Sequence, residues 1–224
     1  MRKKPNLIPR MDRCQAVWVQ NPEKWKGIWR RQFKRQDAPL CVELGCGKGR
    51  FTVDLAGETP NVLYIAIERV PEAMVMAMER AMEQALSNVY FISEDVSQIF
   101  NFFETHEVDR IYINFCDPWP GNKHSKRRLT SERFIQLYDP LLRLGGEIHF
   151  KTDNQPLFLF SLEQFEQCGY SLSEITYDLH ANGPVGCMTD YEKKFYAKEV
   201  PICRCVATKT KEMERPNNEE QTEK

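Results

Sequence analysis

The 224-residue chain predicts a doubly wound α/β fold: a mostly parallel sheet with an antiparallel C-terminal edge. Three observations predict it. Five apolar, strand-like runs alternate with helical stretches. A glycine-rich turn follows the first run and opens a helix, as at the ligand-binding edge of such sheets. After Asn154 the alternation stops, and two late strand-like runs flank a loop holding Gly183, Pro184 and Gly186.

The first strand is read at Leu40–Leu44, with a helix from Gly49 to Ala56. The second is Val62–Ile67, followed by Pro71 in a first helical turn and a Met/Ala-rich helix to Leu86. Val89–Ile92 is the third, leading to a short helix at Val96–Phe103. Arg110–Phe115 is the fourth, followed by a long loop and a helix over Thr130–Leu142. Gly145 and Gly146 open the fifth, Glu147–Lys151. A helix at Gln155–Cys168 and strands at Ser171–Asp178 and Pro201–Ala207 complete the pattern.

Hydrophobic content of 42% and charged content of 28% are ordinary for a globular protein. The absence of a long apolar run argues against a membrane span. The basic N-terminus lacks the apolar stretch of a signal peptide, so a cytoplasmic protein is expected. None of the eight cysteines forms a C-x-x-C pair, which argues for reduced thiols and no metal site. Residues 1–35 carry eleven Lys and Arg against two acids, a balance of +9, leaving the rest of the chain at −10. Such an arm suits a polyanionic partner, or is simply a solvated extension. The expected organisation is a mobile basic arm at 1–35, a domain at 36–208 and a disordered tail at 209–224.

Gly45, Gly47 and Gly49 fall as G-x-G-x-G, not as the G-x-G-x-x-G that seats a pyrophosphate. Glu43, two residues upstream, would sit badly beside a diphosphate and well beside an aminoacyl ammonium. S-adenosyl-L-methionine has no phosphate and carries two cationic centres, so an acidic pocket suits it. Glu68 ends the second strand, where a carboxylate accepts both hydroxyls of an adenosine ribose; dinucleotide enzymes share that feature. Asp95 is placed to take the adenine amine, and is also an ordinary helix N-cap.

The segment from Asn114 to Asn154 is less ordinary. Pro118, Trp119 and Pro120 form a stiff aromatic ledge after a buried strand. Asp117 is set to accept hydrogen bonds from a purine, while Trp119 either stacks on a base or packs the loop. Lys123, Lys126, Arg127 and Arg128 form a basic run, either a solvated face or a phosphate-holding edge. Asp153 ends the fifth strand in a polar cluster facing the same edge. Thr189, Asp190, Tyr191 and Glu192 either reach back over the site or begin a helix, with Thr189 and Glu192 as a capping box.

Taken together, VELGCGKGRF (42–51), AIER (66–69), NFCDPWP (114–120), HSKRRLT (124–130), GGEIHFKTDN (145–154), TDYEKKF (189–195) and KPNLIPRM (4–11) resemble the bacterial tRNA (guanine-N7-)-methyltransferase family. The likeness spans nearly the whole chain. It implies a Rossmann-like class I methyltransferase fold and the guanine at tRNA position 46 as acceptor, with tRNA as partner; the sequence leaves monomer or homodimer open. It implies adenosylmethionine contacts at Glu43, Glu68, Asp95 and Asp117, with Asp117 also catalytic, and substrate contacts at Asp153 and Thr189–Glu192. The family has lysines directly after DPWP, whereas this chain has Gly121 and Asn122, so that role passes to Lys123 or is lost. Amine methyltransferases typically carry N/D-P-P-Y/F in place of Asp117–Pro120, and the glycine spacing with Glu43 disfavours a dehydrogenase. A pure RNA-binding module would not need Glu43, Glu68 and Asp117 together.

Overall fold

The computed structural model describes residues 6–33 and 35–213. The seven strands found there are β1 (Leu40–Leu44), β2 (Leu63–Ile67), β3 (Val89–Ile92), β4 (Val108–Asn114), β5 (Leu142–Thr152), β6 (Tyr170–Thr176) and β7 (Cys203–Lys209). They form one sheet in the order β3-β2-β1-β4-β5-β7-β6. The first five are parallel; β7 runs antiparallel to β5 and carries β6 as an antiparallel edge. Chain order reverses between β1 and β4, so the crevice where ligands bind such sheets opens at their carboxyl ends.

Helices α1 (Leu7–Arg13), α2 (Arg50–Glu58), α3 (Pro71–Glu83), α4 (Glu132–Tyr138), α5 (Gln155–Gln167) and α6 (Asp190–Tyr196) dress the sheet. Strands buried on both faces read as continuous apolar runs, and β1 and β2 are buried along their whole length. One core gathers Leu40, Val42, Ile111, Ile148 and Phe150 beneath Phe158 and Phe165 of α5. The other gathers Cys41, Tyr64 and Phe91 beneath Phe51 of α2 and Met74 and Met78 of α3. Each fully buried aliphatic side chain stabilises the fold by about 1.5–3 kcal/mol. Among the described residues, no helix is long and apolar enough to cross a membrane.

Three boundaries differ from the sequence expectation for physical reasons. The helix expected over 130–142 ends at Tyr138 and tightens into a 3₁₀ turn over Asp139–Leu141, because Pro140 cannot donate to a continuing helix. The stretch at 96–103 is a 3₁₀ turn over Val96–Asn101. β5 starts at Leu142, with Gly145 and Gly146 inside it: a Cβ on Gly146 would lie 2.8 Å from the backbone oxygen of Arg143, so glycine is favoured there.

The segment expected as a basic arm is packed where the structure describes it. Trp29 is fully buried and donates its indole N–H to Phe102 O at 2.8 Å. Val19 N and Val17 O bond Phe91 of β3. Counting charge missed these apolar anchors. Of that expected arm, residues 1–5 and Lys34 lie outside the described residues, as do 214–224 of the expected tail. The domain itself runs past the expected end at 208: β7 includes Lys209, whose ammonium is buried against Asp139 O and Leu142 O at 2.8 and 3.1 Å.

Candidate active site

The turn after β1 is built from left-handed glycines: φ is +78° at Gly45, +57° at Gly47 and +71° at Gly49. Gly49 is under two constraints, since a Cβ there would come within 2.2 Å of the Ala77 methyl on α3. Absence of a side chain lets α2 start against α3, while Gly45 N and Cys46 N donate to Ile67 O and hold the turn against β2. Glu68, at the end of β2, accepts from Gly47 N and Val70 N, both at 2.9 Å, and so ties the turn to the neighbouring strand end. A carboxylate has about four acceptor positions, so two remain for a ligand.

Glu43 is buried to 3% exposure at the end of β1. It accepts from the Thr52 hydroxyl and, at 2.8 Å, from Asn114 Nδ2. Burial pushes its carboxyl pKa up, against the opposing pull of those two hydrogen bonds. Beside it, Asn114 Oδ1 is, among the described residues, the one buried side-chain polar atom without a partner. Buried acceptors normally have partners. Glu43 and Asn114 line a recess of about 180 Å³ under the glycine turn, where a cationic N–H donor would satisfy both. That donor set fits the ammonium of an aminoacyl group.

The recess adjoins a groove of about 740 Å³ along the carboxyl ends of the strands. Glu68, Asp95, Asp117, Trp119 and Asp153 all line it, large enough for nucleoside-sized groups. Asp95 caps the 3₁₀ turn through Ser97 N at 2.9 Å, and that backbone bond holds its carboxyl below the usual range. Asp117 is 72% exposed. Arg69, the residue after Glu68, spans the groove with its guanidinium 3.9 Å from both Asp95 and Asp117.

The loop that carries Asp117 stores backbone strain. Phe115 and Trp119 adopt φ of +51° and +42°, which costs non-glycine residues about 1–3 kcal/mol each. Arg128 offsets this by donating to Pro118 O at 2.9 Å and Trp119 O at 3.2 Å, its guanidinium lying over Phe160. Arg127 lies 5.0 Å over the Trp119 ring. Burial pushes the thiol of Cys116, beside Asp117, up to about 12, so it stays a neutral packing group.

The sequence-predicted residues therefore separate. Glu68, Asp95, Asp117, Lys126, Arg127, Asp153 and Tyr191 line the groove, and Tyr191 also lines the recess, with Glu43, Gly45 and Gly47 at its floor. Lys123 is exposed outside both cavities. Arg128 is occupied with the loop carbonyls. Thr189 and Glu192 form the expected capping box. Asp190 joins α6 to α2 and α3 through Arg50 at 2.5 Å and Arg80 at 2.9 Å. Burial opposes its ionisation, but the hydrogen bonds from Arg80 and Arg50 win and hold its carboxyl below the usual range. Glu192 is fully buried and lines neither cavity. Sequence reasoning left out Arg69, Asn114, Lys151, His180 and Phe195; the strand-end positions of Asn114 and Lys151 were the available signal.

A family model described as "Putative methyltransferase" matches residues 37–205. Among solved structures, the 16S rRNA methyltransferase KamB superposes with a TM-score of 0.59 at 13% identity, over 80% of this chain and 89% of that one. The aminoglycoside resistance methyltransferase NpmB1 gives 0.59 at 16% identity, over 86% and 95%. The fold is that of the class I S-adenosylmethionine-dependent methyltransferases.

Sequence relatives narrow the class. A tRNA (guanine-N(7)-)-methyltransferase of Halalkalibacterium halodurans is 45% identical over 92% of this chain and 94% of its own length. One from Lachnoclostridium phytofermentans is 44% identical over 87% and 91%. The chain belongs to the tRNA (guanine-N(7)-)-methyltransferase family.

Proposed function

We propose that the protein transfers the methyl group of S-adenosyl-L-methionine to N7 of the guanine at position 46, in the variable loop of tRNA, in the cytoplasm. The observation that carries this, beyond family membership, is the pairing of an ammonium-seeking recess with a wider groove edged by Asp117, Trp119 and cationic side chains.

S-adenosyl-L-methionine supplies a methyl group activated on a sulfonium. In this reading Glu43 and the free Asn114 Oδ1 hold its ammonium, with Gly45 and Gly47 against its chain. Glu68 accepts from the ribose hydroxyls, and Asp95 from the adenine amine. Guanine N7 is a neutral lone pair with no proton to lose, so no strong base is required. What the residues must do is align N7 with the methyl group and stabilise the positive charge growing on the purine. Asp117, exposed at the groove beside Trp119, takes that role, with Asp153 and Tyr191 orienting the guanine. Lys126 and Arg127, with Lys123 beyond the groove, hold phosphates and position the RNA without reading its sequence. Arg128, Asp190, Thr189 and Glu192 support the site from within rather than touching tRNA, in line with their filled hydrogen bonds.

Labelled adenosylmethionine incubated with unmodified tRNA, followed by nucleoside analysis, tests the proposal. 7-Methylguanosine at position 46 is expected, and its absence with folded enzyme would sink the reading. Asp117→Ala should lower turnover about 10²–10³-fold while adenosylmethionine affinity changes only a few-fold. Equal loss of both would reduce Asp117 to a cofactor contact.

A further inference from the structure

The first turn of α6 stands between the two cavities, and Tyr191 lines both. Tyr191 is 63% exposed, and the contact made with its ring is the ammonium of Lys194, on the same helix, 5.9 Å from the centroid. What fixes its position is the backbone beneath it, and that backbone rests on a buried ionic cluster. Glu192 is 0% exposed, and Lys151, at the end of β5, is 7% exposed. Lys151 Nζ donates to both Glu192 oxygens, at 3.0 and 2.7 Å, and to Cys187 O at 3.2 Å. These use all three ammonium donors. The same ammonium lies 4.9 Å over the ring of Phe51 on α2.

Glu192 is equally saturated. Oε1 accepts from Lys151 and from His180 Nε2 at 3.0 Å; Oε2 accepts from Lys151 and from Thr189 N at 3.2 Å. Four acceptor positions are filled and none faces either cavity. His180 Nδ1 accepts from Val185 N at 3.2 Å, which leaves its proton on Nε2, pointing at Glu192. Each partner comes from a different place: β5, the loop before α6, and the cap of α6 itself. A buried ion pair is a poor source of stability, because desolvation offsets its attraction, but it enforces one arrangement of the parts it joins.

We propose that Lys151 and His180 are positioning residues for methyl transfer: through Glu192 they set the first turn of α6, and so Tyr191, between cofactor and guanine. The inference rests on the functional reading above and assigns Glu192 an indirect role in it.

The test is a double-mutant cycle in the full chain with a separate structural probe. Glu192→Gln should lower kcat/KM for tRNA about 10- to 100-fold, as displacement of a positioned group does, while tRNA affinity changes by less than about two-fold. In a Tyr191→Ala background the same substitution should cost less than about two-fold more, because its route of action is already gone. Multiplying effects in the double variant, or tRNA affinity lost in step with kcat/KM, would overturn the proposal in favour of a direct contact. 3-Fluorotyrosine placed at 191 alone supplies a ¹⁹F resonance read without cofactor or tRNA. It should shift in Glu192→Gln and in Lys151→Arg, which keeps the charge and serves where the first variant fails to fold. An unmoved resonance in Lys151→Arg also overturns the proposal. A wild-type enzyme that does not methylate tRNA would defeat the functional reading alone, since the resonance judges the cluster independently.

Discussion

The turn after β1 and the loop after β4 meet across one crevice but are held by opposite means. Glycine removes the obstacles in the first: three left-handed residues without side chains let backbone approach α3, and Glu68 pins the turn through Gly47 N. In the second, Phe115 and Trp119 take left-handed conformations despite their side chains, and Arg128 grips the strained carbonyls. Their carboxylates contrast in the same way. Glu43 is sealed in and held above its usual pKa by burial, whereas Asp117 is 72% exposed. A turn that binds a small ligand can be rigid by omission. A loop that, in the proposed reaction, admits a base while holding one carboxylate needs side chains as braces.

The largest expected effect falls on the first region. Gly49→Val places a branched side chain at φ +71° against Ala77, and should cost about 3 kcal/mol or more, seen in urea denaturation. A loss under about 1 kcal/mol would show that α2 and α3 can separate freely. The second region should lose proportionally more activity than stability. Arg128→Met should reduce kcat about ten-fold, while the salt dependence of tRNA binding stays that of the wild type. Arg127→Ala should instead lower the slope of log K against log salt by about one. Identical salt slopes in both variants would mean that Arg128 does not differ from its neighbour.

Glu43→Gln should separate stability from binding. A carboxyl whose folded pKa lies above its unfolded value favours the fold when protonated, and that contribution is lost as pH rises through the folded pKa. Removing the charge should therefore raise stability at neutral pH by about 1 kcal/mol, yet weaken adenosylmethionine binding about ten-fold or more by loss of a charge-assisted bond. Calorimetry on the free enzyme and titration with cofactor read the two effects. Asp190 should give the smallest. Its folded pKa is depressed, so its contribution is present above the ordinary aspartate range and fades as pH falls below about 4. Asp190→Asn should flatten the acid limb of the stability profile, and an unchanged limb would remove the Arg50–Asp190–Arg80 link from the account.

Periodicity and punctuation made most of the fold legible. β1 and β3 were located to the residue, because apolar runs bounded by Gly, Pro and polar residues have few alternatives. β5 was cut short because Gly145 and Gly146 read as the opening of the strand, although Gly146 lies inside it, where a Cβ would press on Arg143 O. The arm was misjudged for the opposite reason: its charges are local and countable, while the fit of Trp29 against Phe102 and Phe103 depends on residues some seventy positions away.

By itself, the sequence determined the order of strands and helices, the switch-point crevice, the glycine turn and the carboxylates on its rim. These follow from local spacing, and strand ends point the same way in every parallel sheet. Only the tertiary structure decided which polar side chains remain free to bind. Arg127 and Arg128 are neighbours, yet one lines the groove while the other is spent on backbone carbonyls. Tyr191 faces both cavities while Glu192, one residue on, is buried with every acceptor filled. Hydrogen-bond capacity is finite, and what uses it up lies far off in the chain.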